Sequence, residues 1–445
     1  MTIDELLKRM GCKTEKEAKQ AGLVNLWWSW YQGKVERFHN YTVYNGQKNI
    51  RLQKKSLNLA KQICENFADL IYNDNVNITL DTEEKTERLA KILSNINFKS
   101  QVNEAIEKAF ATGTGALVLV KDGEKLNLNH VYSDDIYPIT YANGVISECA
   151  FKTIILKNDK RYCYLSIHAK GLKGYVISNA LYELGQDNVT LGEIVESWEY
   201  STGSDSAWFC IIKPNCANNT SYYSPYGVSV FANAISELEA IDEAFNSLDM
   251  EVKNGKLKVL VASDYINMIP DSLNVTVPAF DSNDTVFHML PKGMNDQPSI
   301  QIIAPQLRAE QFIRAINADL KVISSKLGLG SDFYAFDAET GIKTATEVIS
   351  KNSQMFRRIK KHEILLEYSL KQIIGAICSA SGITTEEITI NFDDSIVQDK
   401  ESERAQDLVD VNAGILNKWE YRMKWYAEDE ATARKYIEEN EVVTY

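Results

Sequence analysis

The residues of this chain that could do chemistry are few, and their spacing argues against catalysis. Asp134-Asp135 and Asp393-Asp394 are carboxylate pairs adjacent in sequence. Glycoside hydrolysis needs two carboxyls that converge from separate chain positions across a cleft, whereas sequence neighbours usually point apart. A carbohydrate-active enzyme would also want a sugar platform. Trp27, Trp28, Trp30, Tyr31, Phe38, Tyr41 and Tyr44 are the candidates, but helical packing around Val24 to Trp30 is the simpler account of them. Gly113-Thr114-Gly115 lies after a helical pattern and before a strand, the reverse of a dinucleotide fingerprint, and reads as a turn. Cys12, Cys64, Cys149, Cys163, Cys210, Cys216 and Cys378 are scattered, with no C-x-x-C and no His-x-His cluster. That pattern fits free, buried thiols in a reducing cytoplasm, with no metal site. No catalytic residue, cofactor or Walker signature is expected.

The composition bounds the class. The 445 residues have room for about two to four domains, and 44% hydrophobic with 24% charged residues is the balance of a globular chain. No apolar run reaches the ~18 residues of a membrane helix, and Met1-Thr2-Ile3-Asp4-Glu5 reads as a capped helix start rather than a signal peptide. A net charge of −13 argues against gripping nucleic acid through a basic surface. It leaves open a wall past which nucleic acid slides.

The elements follow from periodicity. The first ~80 residues read as helices, with a second capping box at Thr14 to Glu17 and with Gly11 and Gly22 at C-cap positions. Leu57, Ala60, Cys64, Phe67 and Ile71 mark one amphipathic helix, and Gln101 to Thr112 another. The modest basic run Arg51, Lys54, Lys55, Lys61 reads as a solvated face. Strands are expected at 116–120, 126–131, 145–156, 161–168, 172–184 and 208–213. The first half is therefore α+β, with a mostly antiparallel sheet.

A shaft begins at Gly227. Phe231, Ile235, Leu238, Ile241, Phe245, Leu248 and Val252 form a narrow apolar seam on a helix over 228–254, about 40 Å long. Glu237, Glu239, Asp242, Glu243, Asp249 and Glu251 oppose Lys253 alone, so an acidic face turned to solvent is expected. A small β-rich insert follows, with strands at 257–262, 274–278, 285–290 and 299–303. A return helix over 306–327 carries Phe312, Ile316, Leu320, Ile323 and Leu327, with Arg308, Arg314, Lys321 and Lys326 outnumbering Glu310 and Asp319. The loop Gly328 to Gly341 sets Phe333, Tyr334 and Phe336 among Gly330, Ser331, Asp332, Asp337 and Glu339, which suggests exposed aromatics or burial against another subunit. Thr344 then opens a long helix through Ile377. A strand over 387–392 and three short helices split near Gly414 and Glu428 close the chain. Residues 393–445 hold 14 acids and 7 bases.

The order of these parts resembles the portal (head–tail connector) proteins of tailed bacteriophages, particularly those of siphophages of Gram-positive hosts. The carrying segments are Pro225-Tyr226-Gly227-Val228-Ser229 with Ile241-Asp242, Lys258-Val259-Leu260-Val261, Lys343-Thr344-Ala345-Thr346-Glu347-Val348 and Asn391-Phe392-Asp393-Asp394-Ser395-Ile396. No one of them is diagnostic alone; their order and spacing are.

The resemblance implies an α+β portal fold assembled as a ring, usually of about twelve subunits, at one capsid vertex of a virion put together in the host cytoplasm. It implies a wing over 1–226, stem helices over 227–254 and 306–327, a clip over 255–305 and a tunnel loop over 328–342. It further implies a long wing helix with closing strand over 343–394 and a crown over 395–445, though the acidic tail is short for a full crown. The implied partners are further copies of the chain, the large terminase, a head-completion adaptor, the major capsid and scaffolding proteins, and double-stranded DNA, with no membrane. Gly330, Ser331, Asp332, Phe333, Tyr334, Phe336 and Lys343 would surround the DNA. Glu239, Asp242, Glu243, Lys253, Lys256, Lys321 and Lys326 are stem-channel candidates: the acids as a non-adhesive wall and the lysines as weak phosphate contacts. The alternatives are another virion head or tail adaptor, and the carbohydrate-active enzyme considered above.

Overall fold

The computed structural model describes residues 1–10, 18–44, 46–123, 125–187, 189–262, 268–270, 276–278, 287–290, 300–336, 345–392, 400–426 and 428–441. Helix α1 (Ile3–Arg9) opens on the expected capping box. The Thr2 hydroxyl accepts the Glu5 N–H at 3.3 Å and the Glu5 carboxylate accepts the Thr2 N–H at 2.9 Å. Next come α2 (Ala18–Tyr31), short α3 (Glu36–His39), the hairpin β1 (Asn40–Tyr44) and β2 (Asn49–Gln53), and α4 (Leu59–Ile71). Gly22 lies inside α2 rather than at a cap. Strand β3 (Asn77–Leu80), α5 (Glu83–Asn95) and α6 (Phe98–Thr112) complete this helical part.

Two antiparallel sheets follow, the expected α+β arrangement. Strands β4 (Gly115–Asp122) and β5 (Lys125–Tyr132) pair in a three-stranded sheet. A larger meander holds β6 (Ile136–Ala142), β7 (Val145–Lys157), β8 (Lys160–Gly171), β9 (Gly174–Leu184) and β10 (Leu191–Ser201) in sequence order. Strand β11 (Phe209–Ile212) returns to the other edge of β4. Ile3, Leu6 and Leu7 of α1 cover one face of the meander at Tyr137, Ala150, Cys163, Leu165, Ile167 and Leu191.

The shaft helix α7 (Ile235–Asn254) is shorter than its sequence seam suggests, 20 residues and about 30 Å. Residues 228–234 are held out of it. The Val230 N–H and the Ser229 hydroxyl both donate to the Phe110 carbonyl at the end of α6 (2.9 and 3.1 Å), and Phe231 is sealed in the core. After α7, β12 (Lys258–Ala262) forms one strand of the insert, and β13 (Met268–Pro270) pairs with β14 (Thr276–Pro278). Strand β12 pairs in parallel with β15 (Phe287–Leu290) and antiparallel with β16 (Ile300–Ile303). Helix α8 (Ala309–Leu327) returns from the insert, and α9 (Ala345–Ala380) runs 36 residues. Strand β17 (Ile388–Asn391) pairs with β3, stitching the end of α9 to the helical first part. Helices α10 (Lys400–Asn412), α11 (Lys418–Tyr426) and α12 (Glu430–Glu441) end the chain, with turns at the two expected places.

One core unites these parts. Phe67 and Ile71 of α4, Val102, Ile106 and Phe110 of α6, Leu238 and Ile241 of α7, Ile316 and Ile323 of α8, and Leu370 and Ile377 of α9 are buried in a single cluster. The shaft helices are thus rooted in the same core as the helical first part.

Candidate functional site

The site is the α7–α8 pair and the loop beyond α8. Ion pairs fix the direction of the two helices. Lys326 near the end of α8 meets Glu237 near the start of α7 at 2.5 Å. Arg308, just before α8, clamps Glu251 near the end of α7 with two guanidinium bonds of 2.9 and 2.8 Å. The helices are therefore antiparallel, with the β insert at one end and the loop at the other. The Arg308 guanidinium also holds the Glu251 carboxyl below its ordinary pKa.

The other long face of α7 is not open. Residues 54–57, just after β2, run along it like a strap. Lys54 pairs with Glu243, Lys55 pairs with Asp249 at 2.6 Å, and the Lys55 N–H donates to the Asn246 side chain at 3.2 Å. Lys253 shares Asp249, and the two ammonium groups hold that carboxyl below its usual range. Within the basic run, Lys54 is half-buried in this seam, while Lys55 is paired yet stays exposed as expected.

Asp242 is the centre of this seam and a correction to the expected channel face. Its side chain is 4% exposed and accepts from the Ser56 hydroxyl (2.7 Å), the Leu57 N–H (2.8 Å) and His39 Nε2 (3.0 Å). His39 Nδ1 accepts the Val35 N–H at 2.9 Å, so the ring proton sits on Nε2, facing the carboxylate. A buried acid with three donors joins two parts of one chain and cannot line a lumen. Glu239, by contrast, is exposed, as are Lys253, Lys256, Lys321 and Lys326.

The loop starts on a glycine the backbone requires. Gly328 has φ +77°; its N–H bonds the Ser325 carbonyl (3.0 Å) and the Leu329 N–H bonds the Ser324 carbonyl (3.1 Å). That pair closes α8 as a Schellman motif. The following aromatics split into two kinds. Tyr334 is buried within its own chain, where exposure or burial against another subunit was expected. Its N–H donates to the Ser324 hydroxyl (3.2 Å), and its own hydroxyl receives the Asn66 amide (3.3 Å). Phe333 and Phe336 are 37% and 40% exposed. The Phe336 N–H is pinned by Asn317 at 2.7 Å, and its ring stands edge-on to Phe245 at 6.2 Å. Gly330 is buried, Ser331 is exposed, and Asp332 lies 3.9 Å from Lys321. Lys343, Asp337 and Glu339 lie outside the described residues.

The residues of the enzyme alternative do not assemble. Asp135 is paired with Lys152 at 2.6 Å in a turn before β6, Asp393 and Asp394 lie outside the described residues, and Trp27 and Trp30 are buried in the core. Among the described residues no cluster of three His, Cys, Asp or Glu side chains forms, and no helix is long and apolar enough to cross a membrane.

Comparison with known proteins decides the family. The family described as "Phage portal protein, SPP1 Gp6-like" matches residues 12–441. This chain belongs to that family. The solved structures include a chain from the virion of a native gene transfer agent particle that is similar at TM-score 0.43 and 11% identity, over 82% of this chain and 88% of that one. No curated protein matches. The family is one of structural virion components, and membership bears out the sequence resemblance.

Sequence reasoning passed over two features of this portal-family chain that the structure makes prominent. The strap onto α7 had a signal, lysines at 54 and 55 against acids spaced along α7. The second is a glycine contact at the root of the shaft. Gly113 caps α6 at φ +85°, and a Cβ there would come within 2.8 Å of the Gly227 carbonyl. A Cβ on Gly227 would lie 2.3 Å from the Gly113 carbonyl. Thr114 supports the contact by accepting the Gly227 N–H at 2.9 Å.

Proposed function

We propose that the chain forms a ring at the single portal vertex of a phage capsid. Double-stranded DNA is driven in through its channel by the terminase motor and later leaves the same way, and a head-completion adaptor docks on it after packaging. In this reading α7 and α8 are the stem, residues 255–305 the clip that meets terminase and then adaptor, and residues 328–342 the tunnel loop. Residues 1–226 with α9 form the wing, facing the major capsid and scaffolding proteins, and 395–445 the crown. Assembly takes place in the host cytoplasm.

The observation that carries this is the antiparallel helix pair with a β insert at one end and a half-anchored aromatic loop at the other, within a family match spanning nearly the whole chain. Tyr334 fixes the loop to α8 while Phe333 and Phe336 remain available. An apolar lip anchored in this way suits sliding contact with a duplex, since its described residues, 328–336, include no lysine or arginine for a phosphate to settle on. Glu239, Glu243, Lys253, Lys256, Lys321 and Lys326 remain channel candidates; Asp242 does not.

Light scattering with negative-stain imaging tests the reading. A particle about twelve times 50.3 kDa, with a central hole, is expected. A protein that stays monomeric at high concentration and in the presence of scaffolding protein would refute it.

A further inference from the structure

Two long strand edges lie open among the described residues, and they match each other. The β1–β2 hairpin is a sheet of its own; neither strand has a second neighbour. Nearly every residue in it is exposed, including Val43 at 42%, Tyr44 at 65% and Leu52 at 38%. An isolated two-stranded hairpin is marginal in water and gains most by joining a larger sheet. Strand β10 is the outer strand of the five-stranded meander. Past Leu191, whose N–H is taken by the Met1 carbonyl, its edge is uncovered, and Ile194, Val195 and Trp198 are 54%, 53% and 39% exposed. Such an edge is a template for another strand. The opposite edge, β6, suits this less, because it carries Pro138 and its first residues are buried.

The charges agree. Lys48 and Arg51 are the hairpin's only charged residues, with no acid from Asn40 to Gln53; β10 carries Glu193, Glu196 and Glu199 with no base. Both sets repeat every third residue. Strand β10 is irregular between Leu191 and Glu196 and pairs regularly from Glu196 to Ser201; when β2 runs antiparallel to that regular stretch with Arg51 opposite Glu196, Lys48 falls opposite Glu199.

We propose that the hairpin of one copy adds to the β10 edge of a second copy, β2 lying antiparallel on β10 in this register. The proposal rests on the ring reading above and supplies one of its contacts. Hairpin and β10 edge are different surfaces of the chain, so the contact is head-to-tail, the kind that closes into rings. The meander becomes an antiparallel sheet built of strands from two copies, in the manner of strand addition.

The test uses the full chain with Arg51→Cys and Glu196→Cys together, treated with a short bismaleimide after assembly. A ladder of covalent oligomers up to the full ring is expected, absent from either single variant. Rings of normal mass whose two thiols are accessible yet give no ladder would overturn the strand addition while leaving the ring intact; failure of the unsubstituted chain to form any assembly would overturn both. Charge reversal supplies a second readout that needs no cysteine. Arg51→Glu alone and Glu196→Arg alone should each raise the concentration at which rings dissociate, by about two- to fivefold per contact. The double reversal should restore it; no restoration counts against the register.

Discussion

Removing the Asp242 carboxylate tests whether α7 is seated as described. Asp242→Ala strands three donors. The His39 Nε2–H is sealed at 1% side-chain exposure and has no water to turn to, so it bears the full penalty of an unsatisfied buried donor, ~1–3 kcal/mol. The Ser56 hydroxyl and Leu57 N–H lie at a part-buried rim, and losing each bond costs about 0.5–1.5 kcal/mol. The total is about 2–6 kcal/mol. For a cooperative unit of 445 residues, a melting entropy of ~2.1 cal/mol/K per residue converts this to a fall of about 2–6 °C in Tm. Urea unfolding followed by tryptophan fluorescence is the assay, because Trp30 lies edge-on to His39 at 5.6 Å and reports the same place. Glu239→Ala is the control, on an open face of the same helix, and should stay within ~0.5 kcal/mol. A double-mutant cycle with Ser56→Ala should show coupling of about 0.5–1.5 kcal/mol. If Asp242→Ala loses no more than Glu239→Ala, the carboxylate is not sealed against the strap and the reasoning fails.

Gly113→Ala should destabilise by about 3 kcal/mol or more, since the left-handed backbone and the close Gly227 carbonyl both oppose a methyl group; an unchanged urea midpoint would deny the contact. Phe333→Ser with Phe336→Ser should reduce DNA packaging and leave ring mass unchanged, whereas Tyr334→Ser should lower stability by about 2–4 kcal/mol. Normal infectious yield from the first variant would remove the loop from the channel. Acid should weaken the fold through two histidines: burial pushes His168 down to about 3, and burial with Arg358 and Lys361 nearby does the same for His362. Their ordinary value is about 6.5, so their neutral burial contributes fully above that pH, and the contribution is lost as pH falls and the unfolded chain takes up protons. Between pH 6.5 and 5 each site should lose ~2 kcal/mol, and His168→Asn should roughly halve the combined loss in denaturant titrations at the two pH values.

How much of this was legible from sequence depends on whether a signal is local. The seam of α7, the return helix and the long α9 are written in apolar repeats, and the insert in β-branched runs. The strand β10 was missed because Leu191 to Ser201 mixes three glutamates with its apolar residues and covers little core, so no alternation stands out. The β1–β2 hairpin did carry a signal, Asn45-Gly46 between β-rich runs, but the tryptophans just before it drew a helical reading across the region. The early start assigned to α7 failed for a tertiary reason. Val228 to Phe231 continue the apolar period, yet the free carbonyl of Phe110 takes the donors that would begin a helix. The burial of Tyr334 within its own chain was not legible because its polar neighbours suggested exposure or a contact with another subunit, while its partner Asn66 lies 268 residues away in sequence.

The acids of α7 illustrate how a charge pattern changes meaning once partners are placed. Six acids against one lysine read as a negative wall. Five of the six hold partners within the chain: Glu237 with Lys326, Asp242 with His39, Glu243 with Lys54, Asp249 with Lys55 and Lys253, and Glu251 with Arg308. Glu239 is the acid left standing on an exposed position without such a pair among the described residues. The acidity of the helix therefore serves mainly to fasten α7 to α8 on one side and to the strap on the other. If α7 faces a channel, each subunit adds about one unpaired carboxylate there, a weak field that salt at ~0.15 M screens within ~8 Å. Low adhesion to DNA then follows from near-neutrality rather than from repulsion. Glu239→Lys separates the two accounts: a strongly repulsive wall would tolerate one reversed charge per subunit, whereas a near-neutral one becomes a ring of unpaired cations. DNA transit should then slow, and the slowing should be relieved by added salt; transit insensitive to both would leave α7 off the channel.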